Sequence, residues 1–327
     1  MIIAAVGAPK AEGRIRPVDP GRDLGAIADL IEIAFSAELD RSGTSLVADL
    51  RQLAVLGPLL TIVDYVAPFA GGYVWEQNGR VIGNVTVTLE DASAQRWFIS
   101  NVAVHPQYQG HGIGRRLMDG ALGSIRRQGG RQATLQVRTD NEPAQRLYRS
   151  LGFKRFDTLV EMLRPGALPL PQRPDLPLHR LKNRDWTALL DLARAATPPE
   201  VLQVRPLQAS AFRPTLLKRI GEWFDRFLGT RQTWRWGLEQ EGRLAAVVSV
   251  LVQDDSYPAR LDLAVRPEAR GSIEGPLADY GLAALERLHP RPVAANASTT
   301  HPEAITALCD RHFFVSRTLD QLILESL

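Results

Sequence analysis

The chain has 327 residues, of which 45% are hydrophobic and 23% charged, and its formal net charge is +3. That length gives room for two domains with full cores, and the composition is that of a globular protein rather than a disordered or fibrous one. A charge so near balance argues against a nucleic-acid binder; the lone Cys309 excludes an intrachain disulfide and fits a reducing cytoplasm; the 6 scattered histidines have no pair at metal-ligand spacing, so no metal is expected.

The opening Met1-Ile2-Ile3-Ala4-Ala5-Val6 lacks the charged region and the apolar length of a signal peptide. Arg14-Ile15-Arg16-Pro17-Val18 reads as a short strand. Leu24, Ile27, Leu30, Ile31, Ala34 and Phe35 then recur at helical spacing, and a second helix is predicted over Leu46–Val55. From Leu53 to Trp75, Asp64 is the only formal charge. The length would suffice to span a bilayer, but Pro58, Pro68 and the Gly71-Gly72 pair break a continuous helix, so no membrane span is expected. Gly72–Gln77 and Val81–Thr88 form a predicted hairpin around Asn78-Gly79, a pair suited to positive φ.

The strand Trp97–Val104 runs into Gln109-Gly110-His111-Gly112-Ile113-Gly114-Arg115-Arg116, and Leu117, Met118, Ala121 and Leu122 continue as a helix. Alternate glycines let backbone N–H groups turn inward on an anion with no Cβ in the way, and the helix adds its positive end. The pattern suits a phosphate, and best a pyrophosphate. It is not a P-loop, because Gly114 is followed by Arg115 and Arg116 rather than Lys and Ser or Thr. Nor is it a dinucleotide turn, because the glycine spacing differs and no acidic residue ends a second strand about 20 residues on. A strand at Ala133–Val137, a helix at Pro143–Leu151 and a strand from Phe153 to Leu163 complete this half.

The loop and the segment Asn141–Phe153 together resemble the GNAT family of acetyl-CoA-dependent N-acetyltransferases. The loop matches the family's Q/R-x-x-G-x-G/A signature through Gln109, Gly112 and Gly114. The segment matches N-x-x-A-x-x-L-Y-x-x-L-G-F through Asn141, Ala144, Leu147, Tyr148, Leu151, Gly152 and Phe153. The resemblance implies an α/β fold with a mixed, mostly antiparallel sheet flanked by helices. The sheet would splay beside the loop strand, so that acetyl-CoA enters between two strands. It further implies that the backbone of Val102, Ala103 and Val104 pairs with the pantetheine arm, and that Asn141 hydrogen-bonds that arm. Gln109, Gly110, His111, Gly112, Ile113, Gly114 and Arg115 would hold the pyrophosphate, with Arg116 adding charge.

The implied chemistry is direct attack of a neutral primary amine on the thioester. The N–H of Val102 would stabilise the oxyanion, and Tyr148 would protonate the departing thiolate. The alternative for Tyr148 is a core aromatic beside Leu147 and Leu151. The strand before the loop carries no carboxylate, which leaves Glu76, Glu90 and Asp91 as candidate bases. The acceptor would be an amine on a small molecule or peptide, and the protein a monomer or homodimer. The apolar Leu53–Trp75 region is read as a wall of the acceptor pocket or a dimer contact.

After Leu163 a proline-rich linker runs from residue 166 to 176, and the remainder repeats what precedes it. Glu76-Gln77-Asn78-Gly79-Arg80-Val81 recurs as Glu239-Gln240-Glu241-Gly242-Arg243-Leu244. Ala103-Val104-His105-Pro106 recurs as Ala264-Val265-Arg266-Pro267. The offsets are 163 and 161 residues, as in a tandem repeat. The expected organisation is a cofactor-binding domain at 12–165 and a degenerate copy at 177–327. In the copy Ile273 stands where Gly112 stands, Glu274 brings a negative charge to the anion loop, and His301–Leu308 replaces the Asn141–Tyr148 stretch. The first domain is therefore expected to be the active one; the alternatives are an acyl-CoA sensor or an interaction scaffold.

Overall fold

A computed structural model of the chain describes residues 13–42, 71–213, 232–253, 257–288 and 290–327. By their contacts these fall into two compact units. Unit 1 takes its residues from 1–136, 143–154 and 323–327, and unit 2 from 137–142 and 155–322. The predicted helix at Leu46–Val55, and Leu53–Ala70 of the apolar segment, lie outside the described residues. Among the described residues no helix is long and apolar enough to cross a membrane.

In unit 1, β1 (Arg14–Pro17), β2 (Gly71–Gln77), β3 (Arg80–Asp91), β4 (Arg96–Val104) and β5 (Gln132–Arg138) lie in that order in a sheet. Every neighbouring pair is antiparallel except β4 and β5, which are parallel. The β2–β3 turn is the expected one, with Asn78 at φ 49° and Gly79 at φ 74°. Helix α1 (Pro20–Ser42) covers one face, packing Ile27, Ala28 and Ile31 against Val74. Helix α2 (Ile113–Arg127) covers the other, with Ile113 and Leu117 directly over Gly83. Its buried residues Ile113, Leu117, Met118, Ala121, Leu122 and Ile125 form one apolar stripe. Helix α3 (Glu142–Ser150) ends beside Phe153. Strand partners assign the faces residue by residue. Trp75 pairs with Gly83 on the α2 side, so Val74 and its partner Asn84 share the α1 side.

Apart from Lys154 and Ile323–Glu325, which group with unit 1, unit 2 contains β6 (Lys154–Arg164), β7 (His179–Arg180), α4 (Trp186–Ala196), α5 (Pro199–Val204), α6 (Ala209–Phe212), β8 (Gln232–Gln240) and β9 (Arg243–Val252). They are followed by β10 (Ala259–Val265), α7 (Glu274–Ala283), β11 (Val293–Ser298), α8 (Pro302–Cys309) and β12 (Phe314–Glu325). Its strand order is β12-β6-β11-β10-β9-β8-β7. The β8–β9 turn reproduces the earlier hairpin, with Glu241 at φ 52° and Gly242 at φ 75°. Even the register shift just before the turn recurs, at Trp75/Glu76 and at Leu238/Glu239. Strand β6, last of the first sequence repeat, groups with unit 2 because β11 is its main-chain partner, from Arg164↔Val293 to Leu159↔Ser298. The linker that follows is anchored by the buried Arg164, which donates to the carbonyls of Leu168, Pro169 and Arg311.

Candidate active site

Strands β4 and β5 pair from Arg96↔Gln132 to Ile99↔Leu135, and the ladder ends there. The cause is visible in β4. Against β3 its register slips between Asn84↔Ala103 and Thr86↔Ser100, so Asn101 and Val102 together face the single residue Val85. Asn101 takes a left-handed φ of 50°, a conformation that Asn tolerates better than most residues. Beyond this bulge the edge of β4 that faces away from β3 has no ladder partner among the described residues. His105 N–H donates to Ile82 O on β3, 2.9 Å away. Alternation then turns the backbone groups of Ala103 to β3 and those of Val104 and Val102 to the open edge.

The loop that follows is braced from inside. Gln109 Nε2 donates to Val104 O at 3.1 Å, and His111 Nδ1 lies 2.9 Å from Gln109 O, which makes Nδ1 the protonated nitrogen. Gly110 and Gly112 have φ of 80° and 76°, so both need glycine for conformation. A Cβ built on either meets no atom within 4 Å, so the loop opens onto free space. Gly112 is the N-cap of α2, and no side chain caps the helix. The N–H groups of its first turn are left for an outside acceptor. Arg115 bonds Ser150 Oγ at 3.0 Å and reaches Asp119 at 3.4 Å, while Arg116 stacks over the Trp75 ring at 5.4 Å.

Tyr148 is 5% exposed and meets Phe153 edge-on, with ring centroids 6.0 Å apart. Burial alone pushes its phenol up to about 12, so it keeps its proton at neutral pH. The loop, β4 and Tyr148 all belong to unit 1. Asn141 is an exposed residue immediately before α3 and groups with unit 2; its N–H donates to Arg138 O at 3.1 Å.

The three candidate bases are all engaged. Glu76 is bound by Arg16, which holds its carboxyl below the usual range. Asp91 is lowered chiefly by the Ser93 hydroxyl and by the Ser93 and Ala94 N–H groups. Glu90 bonds Arg96 Nε and Thr134 Oγ1, both at 2.9 Å.

In unit 2 the fork recurs: β10 and β11 pair only from Ala259↔Val293 to Leu261↔Ala295. The loop there is filled from within. Glu274 is 2% exposed, one of its oxygens accepts from Gly271 N–H at 3.0 Å, and the other lies 2.8 Å from His301 Nε2. Ile273 takes the N-cap of α7 at φ −109°, so this loop lacks the left-handed cap of Gly112, and its side chain packs against the core of the unit.

Sequence reasoning missed Asn84, which is 0% exposed. The available signal was a carboxamide within the apolar run Val81-Ile82-Gly83-Asn84-Val85.

A parallel strand pair that forks at a bulge, ahead of a glycine loop and an uncapped helix, defines the acyl-CoA N-acyltransferase fold. Residues 33–153 match the model of the family described as Acetyltransferase (GNAT) family. The N-alpha-acetyltransferase RimI of Mycobacterium tuberculosis is 49% identical over 57 residues, covering 17% of this chain and 34% of that protein. A mycothiol acetyltransferase of Actinosynnema mirum is 31% identical over 156 residues, covering 47% of this chain and 48% of its own. The chain thus spans about half or less of these curated relatives. A solved tandem GNAT protein from the clavulanic acid biosynthesis pathway superposes over 96% of this chain and 98% of its own, with a TM-score of 0.60 at 18% identity, which speaks to fold alone. The match to the GNAT family thus covers residues 33–153, and the tandem structure extends the likeness of fold, not of function, over the rest.

Proposed function

We propose that the chain is an N-acetyltransferase that moves an acetyl group from acetyl-CoA to a primary amine, with the first repeat (12–165) active and the second (177–327) a degenerate copy beyond the 166–176 linker. The observation that carries this reading is the end of β4–β5 pairing at Ile99↔Leu135, directly ahead of a loop held open by two positive-φ glycines. An extended amide-bearing arm fits the free edge through Val102 and Val104, while Ala103 keeps β4 on β3. A pyrophosphate fits the loop N–H groups from Gly110 to Arg115, and Asn141 is assigned to the pantetheine arm. When bound, acetyl-CoA supplies an activated acyl carbon.

The Val102 N–H then stabilises the charge that develops on the carbonyl oxygen as the C–N bond forms and the C–S bond breaks. Tyr148 gives its proton to the departing sulfur. With Glu76, Glu90 and Asp91 all engaged by other groups, the amine proton leaves through water. The names of the two relatives support acetyl transfer, and we extend it to an amine on a small molecule or peptide, in the cytoplasm.

Calorimetric titration with acetyl-CoA, paired with thiol release in the presence of amines, tests the reading. One site per chain, lost in Gly112→Val, and amine-dependent release are expected. Two sites would overturn the degeneracy of unit 2. Binding without release would make the chain a sensor, and no binding would remove the enzyme.

A further inference from the structure

Asn84 stands in the middle of β3, fully buried, and uses its carboxamide in one direction only. Nδ2 donates to Asn101 O at 3.0 Å and, at longer range, to Thr86 Oγ1 at 3.4 Å, while Oδ1 is buried without a partner among the described residues. A buried acceptor left unpaired is a net cost, so the side chain is kept for what its donor does. The nearer acceptor identifies that role. Asn101 O belongs to the peptide unit that carries Val102 N–H, and the two ends of a trans peptide point in opposite directions. With its carbonyl held on the β3 side, this peptide aims its N–H at the edge that β5 has left.

The same peptide is the one the bulge re-aims, through the left-handed φ of Asn101. Among the described residues the ladder to β3 is interrupted at this point, so no ladder bond fixes the plane of this peptide. A hydrogen bond onto the carbonyl also draws electron density through the amide and strengthens the N–H as a donor.

We propose that Asn84 is the positioning residue of the oxyanion site: its amide orients and polarises the Asn101–Val102 peptide so that Val102 N–H meets the thioester oxygen. The assignment rests on the function proposed above, since it needs a thioester carbonyl at the open edge. It accounts for a polar residue in an apolar strand, for its unpartnered oxygen and for the bulge together. Asn84 touches no substrate; it acts through the peptide it holds.

The test uses Asn84→Leu, close in shape but without the donor, and Asn84→Asp, which keeps the shape and cannot donate when ionised. Three quantities are read in the full chain: kcat, the Kd of acetyl-CoA, and the carbonyl stretch of bound acetyl-CoA labelled with carbon-13 at the thioester. Loss of a whole oxyanion donor lowers kcat by about 100- to 1000-fold; loss of its alignment is expected to cost roughly 10- to 100-fold. Kd should change by less than about threefold, and the carbonyl stretch should move up toward its value in water. The denaturation midpoint of Asn84→Leu should stay level or rise, because the unpaired oxygen is gone.

An unchanged carbonyl stretch in a folded variant overturns the proposal, as does a loss of activity that merely tracks a loss of stability. If wild type binds acetyl-CoA without turnover, the enzymatic reading fails while the stretch still decides the role of Asn84. If wild type does not bind it, both fail.

Discussion

Tyr148→Phe isolates one oxygen atom. The ring stays in place against Phe153, so packing is kept, and both kinetic and thermodynamic consequences follow from one quantity. Burial raises the phenol from 10.0 to about 12. A group whose folded value lies above its unfolded value stabilises fully below the unfolded one. Stability is then lost as pH rises from about 10 to about 12. At 1.36 kcal/mol per pH unit, the loss is about 3 kcal/mol. Urea midpoints of wild type and Tyr148→Phe should therefore differ in slope between pH 10 and 12 and run parallel below pH 9.

The kinetic side has the opposite emphasis. An ordinary thiol sits near 8.5, so complete transfer from a phenol at about 12 is uphill by roughly 5 kcal/mol. In the acid role proposed above, Tyr148 therefore serves best by bonding the sulfur as charge gathers and releasing the proton late. That places its contribution low in the range for acid catalysis, about 100-fold in kcat, with acetyl-CoA affinity unchanged. The assay is thiol release at saturating amine across pH. A kcat unaffected by the substitution refutes the acid role. A falling limb of kcat between pH 8 and 9 that the substitution abolishes refutes the raised phenol.

Three further outcomes are expected. Gly112→Ala forces a Cβ into a left-handed conformation, costing about 1–2 kcal/mol in stability, and should weaken acetyl-CoA binding at least tenfold by calorimetry. Asp23 is 1% exposed; burial opposes its ionisation, but the Arg16 guanidinium prevails and holds the carboxyl below its ordinary value. Its contribution is present above pH about 4 and is lost as pH falls through the lowered folded value, and Asp23→Asn should cost about 3–5 kcal/mol in a urea melt at pH 7, with the difference shrinking as the pH is lowered. Glu274→Ala leaves His301 and Gly271 N–H without their acceptor and should cost about 2–4 kcal/mol of unfolding free energy.

What the sequence made legible was local. Asn78-Gly79 fixes a turn by its own φ preferences, and Gly110 and Gly112 announce a left-handed loop whatever surrounds them. The repeat at Glu239–Leu244 carries the same turn because it carries the same local chemistry. What stayed hidden depends on partners distant in sequence. Nothing near Asn101 marks it as a bulge, since the slip exists only against β3. The commitment of Glu76 and Glu90 depends on Arg16 and Arg96 arriving from other strands. Strand β6 could be foreseen as a strand but not as the neighbour of β11, because strand pairing across the repeats has no local signature. Glu274 was read as an unwelcome charge; only the fold turns it inward to meet Gly271 and His301.

That inward turn sets the two repeats apart in a further way. A loop that supplies its own carboxylate is complete when it folds, whereas one that leaves its amides open gains free energy only from a visitor. Saturation at 100 times Kd adds about 2.7 kcal/mol to whatever binds. If the first repeat alone binds acetyl-CoA, as proposed above, its resistance to proteolysis should rise and fall with the acetyl-CoA supply, while that of the second stays constant. On the proposed reading, one duplicated backbone has become a pair of which a single half would register the metabolic state of its surroundings.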